Sequence, residues 1–276
     1  MNKPELPFLE TMATQVCNLS CQGCTNYSDL VHKGYVPWPQ MRNDLTKWLE
    51  VITIPDFGVM GGEPLVNPEI REWLVGLREL MPHTQIRFTT NGTLLDRHLD
   101  IVDLAHDIGN VVFKITAHTD VEDTINKVFN RFDWEPVKEF GINRWKTTNG
   151  LRFQVNRPET FVKSFKGSYN NMLPWDSNVN DSFDICIQQK CPLLYNGRIY
   201  KCSTQGLLSD TLAKFGNPNY ESWEQYLHKG ISPDDPAEVV QQFINNFGKP
   251  HTMCRMCPTA KDTEALIDHT ITVTRK

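Results

Sequence analysis

Hydrophobic positions in the first 158 residues follow two rhythms that take turns. Short β-rich runs, FLETMAT (8–14), FGVM (57–60), IRFTT (86–90), VVFKITA (111–117) and LRFQV (151–155), predict strands. Between them lie stretches with helical spacing. Met41, Leu45, Trp48, Leu49 and Ile52 recur at intervals of 4, 7, 8 and 11 from the first, which puts them on one face of a helix over about 40–52. Asn67-Pro68 opens a second helix with Ile70, Trp73, Leu74, Leu77 and Met81 on one stripe. Further helices are predicted around 97–107 and 120–132. Strands that alternate with amphipathic helices pair in parallel, so an α/β fold is expected, with ligands bound at the strand ends where the polar clusters fall.

After about residue 160 this rhythm is lost. NNMLPWDSNVNDSF (170–183) is polar and aperiodic and reads as a linker or a loop across the mouth of the fold. LLYNGRIYKC (193–202) then places two short β runs around Asn196-Gly197, a strong hairpin signal. A last helix is predicted near 236–247, and there is no internal repeat.

The chain of 276 residues, 39% hydrophobic and 22% charged, can bury one large core or a core with a small second domain. Its net charge of -5, with Lys and Arg scattered, offers no basic face for a phosphate backbone, so nucleic acid is not an expected partner. No run reaches 18 apolar residues and the first 16 residues lack signal-peptide features, so no membrane span and a cytoplasmic location are expected. In a reducing compartment eight cysteines point to metal ligands or catalysis rather than to disulfides. They are grouped: Cys17, Cys21 and Cys24; Cys186, Cys191 and Cys202; Cys254 and Cys257.

CNLSCQGC (17–24) directly follows the first predicted strand. Thiolates select zinc, copper(I) or iron-sulfur clusters, and structural zinc asks for four ligands. Three ligands from one short loop leave one iron of a four-iron cluster open. GGEP (61–64) directly follows the second strand; its glycines allow close backbone approach to a ligand, and Glu63 offers a carboxylate. CxxxCxxC and GGEP, in that order and each at a strand end, resemble the radical S-adenosylmethionine superfamily.

That resemblance implies a partial (β/α)6 TIM-like barrel over residues 1–165. It implies that Cys17, Cys21 and Cys24 ligate a 4Fe-4S cluster whose open iron binds S-adenosylmethionine, with Gly61, Gly62, Glu63 and Pro64 forming the cosubstrate's setting. Asn91, in Thr90-Asn91-Gly92, and Thr116, near His118, fall where the family keeps polar groups for the ribose and methionine ends. Arg152 is a candidate partner for the cosubstrate carboxylate, an exposed strand-end Arg being the alternative. Many members carry an aromatic residue before the third cysteine to pack on the adenine. This chain has Gly23 there, and Tyr27 is the candidate replacement.

The later cysteines resemble the auxiliary-cluster twitch domain, a short relative of the SPASM domain, so residues 166–276 are expected to form a linker and a small α+β cluster-binding domain. Cys202, Cys254 and Cys257, with Cys186 or Cys191, would ligate one auxiliary 4Fe-4S cluster; zinc is the alternative. The expected function is an oxidoreductase: a 5'-deoxyadenosyl radical abstracts hydrogen from a small molecule such as a sugar, cyclitol or nucleoside-like metabolite, with a flavodoxin- or ferredoxin-type reductant. A peptide maturase is the second reading. The 16 residues before Cys17 tilt the expectation towards a small molecule. A non-catalytic electron carrier is the third reading, and GGEP argues against it. His32, Tyr35, Trp38 and Trp175 are aromatic candidates for the mouth.

Overall fold

The computed structural model describes residues 3–30, 34–137 and 144–268, so His32 lies outside the described residues. Strands β1 (Leu9–Thr14), β2 (Asp56–Gly61), β3 (Gln85–Thr90) and β4 (Val111–Thr116) pair in parallel in chain order. They are linked by α1 (Trp38–Val51), α2 (Ile70–Leu80) and α3 (Leu99–Ile108), and α4 (Glu122–Phe129) follows β4. β5 (Glu135–Pro136) and β6 (Arg144–Lys146) then run antiparallel and lead into β7 (Arg152–Asn156), which pairs in parallel with β4.

The chain continues through β8 (Thr160–Val162) and α5 (Val179–Asp184) to the hairpin of β9 (Leu193–Tyr195) and β10 (Arg198–Tyr200), whose turn residues Asn196 and Gly197 both have positive φ. β9 pairs in parallel with β1, giving one sheet in the order β10-β9-β1-β2-β3-β4-β7-β6-β5. Among the described residues six strands therefore run parallel, the sixth supplied by the hairpin rather than by another βα repeat. The result is a mixed α/β fold around a largely parallel sheet. Four helices follow: α6 (Ser203–Gly206), α7 (Leu208–Phe215), α8 (Tyr220–Trp223) and α9 (Ala237–Asn245). β11 (Leu266–Asp268) returns to pair with β8 in a separate ribbon.

Alternation decides which face of the sheet is which. Phe88, Phe113 and Phe153 point to one side and are buried, whereas Arg87, Thr89, Lys114, Thr116, Gln154 and Asn156 occupy the other. The buried side meets Trp48 and Trp73 from α1 and α2, and each such side chain contributes about 1.5–3 kcal/mol by leaving water. The Trp48 indole also donates to Gly197 O at 3.0 Å, fastening the hairpin to α1. Met12 and Met60 lie in a second apolar cluster with Leu208, Trp223, Met253 and Met256, which packs the C-terminal segment onto β1 and β2.

The stretch 170–183 is not a linker. Met172 and Trp175 are buried, Trp175 N donates to Met256 O, and α5 ends the segment. Its asparagines make local bonds instead of solvating a loop: Asn178 Oδ1 accepts from the Asn180 and Asp181 amides and caps α5. No helix among the described residues is long and apolar enough to cross a membrane.

Candidate functional site

The loop 17–24 leaves the C-terminal end of β1 and is latched to the neighbouring strand ends. Gly62 N donates to Thr14 O and Glu63 N to Val16 O, both at 2.8 Å. A Cβ on Gly62 would stand 2.2 Å from Val16 O, so only glycine permits this approach of the two loops. Asn91 Nδ2 donates to Asn18 Oδ1 at 2.9 Å and lies 3.8 Å from Cys17 Sγ. The Leu19 amide donates to Cys17 Sγ at 3.4 Å.

A cavity of about 240 Å³ opens beside this loop. Cys17, Cys21 and Cys24 line it together with Gly61, Gly62, Asn91, Thr116 and His118. Glu10, Lys114, Phe161 and Cys191 also line it, and of these only Cys191 is an expected site residue. A signal for two of them exists: Glu10 and Lys114 are charges inside otherwise apolar strand runs. Burial pushes the Cys17 thiol up to about 12, countered by the Leu19 amide, with Glu63 and Cys24 adding to the rise. Cys21 is likewise pushed up to about 12 by burial and then by Cys24 and Cys17.

Glu63 does not present its carboxylate to this cavity. It is fully buried, with Oε1 accepting from Thr90 Oγ1 at 2.7 Å and Leu65 N at 3.2 Å, and Oε2 from Asn91 N at 2.8 Å. Burial raises it to about 7 against these three donors. Its work is to tie the β2 loop to the β3 loop, leaving backbone groups of Gly61 and Gly62 at the cavity wall. Pro64 is buried at the start of a short 3-10 helix and does not line the cavity.

Two further expectations are placed elsewhere. Arg152 sits at the opposite end of its strand, paired with Val112 near the start of β4, and donates to Gln85 Oε1 and Asn110 Oδ1. The structure does not bring it to the cysteine loop. Tyr27 turns into the second apolar cluster, its ring 6.3 Å from Phe165 and its hydroxyl 3.5 Å from Ser164 Oγ. Gly23 has φ +74, and a Cβ there would meet Ile267 Cδ1 at 3.2 Å and Phe161 Cβ at 3.5 Å. A large side chain before Cys24 would collide with the β8–β11 ribbon, and Phe161 of that ribbon is an aromatic ring at the cavity wall, beside His118. Of the other aromatic candidates, Tyr35, Trp38 and Trp175 do not line this cavity.

The later cysteines are gathered from separate segments. Cys186 follows α5, Cys202 is the N-cap of α6, Cys254 lies within a short helical turn (Thr252–Met256) and Cys257 caps it. α5 is held to that turn by Ser182 Oγ, which donates to Cys257 O at 2.6 Å and Pro258 O at 2.9 Å. Cys257 is pushed well above an ordinary thiol by burial and then by Cys202, Cys186 and Cys254. Cys202 is pushed up to about 12 by burial, countered by the Gln205 amide, with Cys186 and Cys254 adding to the rise. Cys191 has different company: burial pushes it up to about 12, then Glu10 raises it and Lys114 opposes, with Cys186 and Cys202 smaller. None of Cys186, Cys202, Cys254 and Cys257 lines the cavity.

Both thiol groups suit iron and sulfide. Buried thiols lose their protons when a cationic centre takes up the charge. Among the described residues no three His, Cys, Asp or Glu side chains are spaced to hold a single metal ion. A four-iron cluster spreads its thiolates over different irons and so asks for wider spacing. Beside the first group, buried Asn26 Oδ1 has no hydrogen-bond partner while its Nδ2 donates to Gly61 O at 3.1 Å, leaving an acceptor at the cavity wall.

Residues 12–141 match the model of the Radical SAM superfamily, so the chain carries a radical SAM domain. In that superfamily a 4Fe-4S cluster and S-adenosylmethionine are the working cofactors. Among curated proteins, the chain is 27% identical over 151 residues to the GTP 3',8-cyclase of Microcystis aeruginosa, covering 52% of this chain and 42% of the cyclase. It is 25% identical over 151 residues to molybdenum cofactor biosynthesis protein 1 of Dictyostelium discoideum, covering 54% of this chain and 23% of that protein. The chain thus spans less than half the length of either. Among solved structures, BtrN in complex with AdoMet and 2-DOIA aligns over 94% of this chain and 95% of its own, at 13% identity and a TM-score of 0.47.

Proposed function

We propose that this chain is a radical S-adenosylmethionine oxidoreductase that removes hydrogen from a small polar molecule. The observation that carries the reading is the single cavity shared by Cys17, Cys21 and Cys24, the backbone of Gly61 and Gly62, and a wall of polar strand residues. With its cluster and S-adenosylmethionine bound, such a site supplies one-electron cleavage of the sulfonium and a 5'-deoxyadenosyl radical that takes a substrate hydrogen.

The chain's own residues do the positioning. Cys17, Cys21 and Cys24 would hold the cluster with one iron open to the cavity. The backbone of Gly61 and Gly62, with Asn26 Oδ1 and Asn91, would receive the amino-acid end of the cosubstrate, and Thr116 its ribose. Phe161 would cover the adenine in place of the side chain that Gly23 lacks. Cys186, Cys202, Cys254 and Cys257 would hold an auxiliary 4Fe-4S cluster with all four irons ligated, suited to accept the electron left on an oxidised substrate. The twitch-like assignment of residues 166–276 rests on that set. A flavodoxin- or ferredoxin-type protein would deliver the first electron. Glu10, Thr89, Lys114 and Thr116 at the cavity wall favour a substrate with hydroxyl or amino groups, such as a sugar, cyclitol or nucleoside-like molecule, and the similarity to a GTP cyclase is in keeping with the last of these.

Anaerobically reconstituted protein, reduced and given S-adenosylmethionine with a panel of cyclitols, amino sugars and nucleosides, tests this. The expected product has lost two hydrogens, with 5'-deoxyadenosine formed in equal amount. Products of unchanged hydrogen content, or turnover on peptides instead, would contradict the oxidoreductase reading.

A further inference from the structure

Cys191 lies between the two cysteine groups in sequence and belongs to neither in space. It lines the cavity of Cys17, Cys21 and Cys24, which the four later cysteines do not. The groups that act on it most strongly after burial are Glu10 of β1 and Lys114 of β4, both on the polar face of the sheet and both at the same cavity wall.

Glu10 is a second, independent sign of a ligand. It is 8% exposed and lines the same cavity wall as Lys114. A largely buried carboxyl at a cavity wall is costly unless a group within the cavity satisfies it. β2 leaves it room: a side chain at Gly58 would meet Glu10 Cβ at 2.9 Å. Lys114 makes no ion pair with it within 4 Å, so a carboxyl and an ammonium face one space without neutralising each other. Burial raises Glu10 to about 8, opposed by Lys114 and Arg87, so near neutral pH the carboxyl can donate as well as accept.

We propose that Glu10, Lys114 and Cys191 form the substrate-facing end of the cavity, for a small molecule bearing hydroxyl or amino groups, and that Cys191 is held there as a free thiol while Cys186 completes the auxiliary ligand set. This rests on the reading of the cavity as the S-adenosylmethionine site and of the later cysteines as a cluster site. Glu10 and Lys114 would meet substrate donors and acceptors, and Cys191 would lie against the bound molecule.

The test is alkylation of the anaerobically reconstituted holoprotein with iodoacetamide, mapped by peptide mass spectrometry, with iron and sulfide measured in parallel. Cys191 is expected to be the main labelled thiol. S-adenosylhomocysteine should slow its labelling several-fold, because both occupy one cavity. Lys114→Met should slow it too, because a neighbouring cation favours the reactive thiolate. Cys191→Ser should keep the wild-type iron content, whereas Cys186→Ser loses about half. Labelling of Cys186 with Cys191 protected, loss of iron in Cys191→Ser, or labelling indifferent to S-adenosylhomocysteine or to Lys114→Met would each overturn the proposal. Wild-type iron content reads the cluster assignment separately: half the expected iron with Cys191 still labelled and protected would remove the auxiliary cluster and leave the substrate-facing thiol standing.

Discussion

The two cysteine groups are built in opposite ways. Cys17, Cys21 and Cys24 come from one loop of eight residues at a strand end and face a cavity. Cys186, Cys202, Cys254 and Cys257 come from segments spread over 72 positions and are gathered by tertiary packing, with none facing that cavity. Under the proposed assignment the first arrangement would leave a coordination position for a ligand, and the second would close its site with protein. A local loop tolerates an open position because the β1–β2–β3 ends hold it from behind through Gly62, Glu63 and Asn91. The second group depends on α5, the hairpin and the Cys254–Cys257 turn all being in place, so its integrity should report on the fold of the C-terminal segment.

Substitutions can break that contrast in a graded way. Cys17→Ser is expected to reduce S-adenosylmethionine cleavage to background, measured as 5'-deoxyadenosine, with loss of about half the iron. Cys202→Ser should also lose about half the iron yet keep cleavage uncoupled from substrate oxidation. If both variants lose cleavage alike, the two groups do not divide the work.

A smaller effect is expected from pH. Glu10 has a folded value of about 8 against an ordinary 4.5, so the folded chain binds the extra proton between these values. Its contribution is full below about pH 4.5 and is lost as pH rises through 8, by up to about 5 kcal/mol. Denaturant unfolding near pH 5.5 and pH 8 should show that fall, and Glu10→Gln should flatten it. Gly62→Ala, which drives a Cβ into Val16 O, should cost about 1–3 kcal/mol in the same measurement and weaken S-adenosylmethionine binding. Asn178→Ala, which removes the α5 cap, should cost about 1 kcal/mol and make the second site's iron easier to chelate while sparing the first.

Much of the fold was legible because its strands and helices carry clean periods: the helix expected over 40–52 is α1, and IRFTT is β3. What was not legible is non-local. Nothing in LLY says that it will pair in parallel with β1, and the scattered Met172 and Trp175 hide a packed segment among asparagines. In the site, CNLSCQGC and GGEP announced themselves by spacing, but spacing does not say where a side chain points. Glu63 had the right chemistry for a ligand and spends it on Thr90, Asn91 and Leu65. Arg152 had the right chemistry at the wrong end of a strand. Glu10 and Lys114 were passed over because a charge within a strand run looks like an interruption until the sheet shows both on one face.

The central claim is that one cysteine group is open to a ligand and the other is closed. Electron paramagnetic resonance of the reduced holoprotein, titrated with S-adenosylmethionine, tests it most directly. Two cluster signals are expected, of which only one changes on addition. The changing signal should persist in Cys202→Ser and vanish in Cys17→Ser. A signal that responds to S-adenosylmethionine in Cys17→Ser, or two signals that both shift in the wild type, would contradict the account.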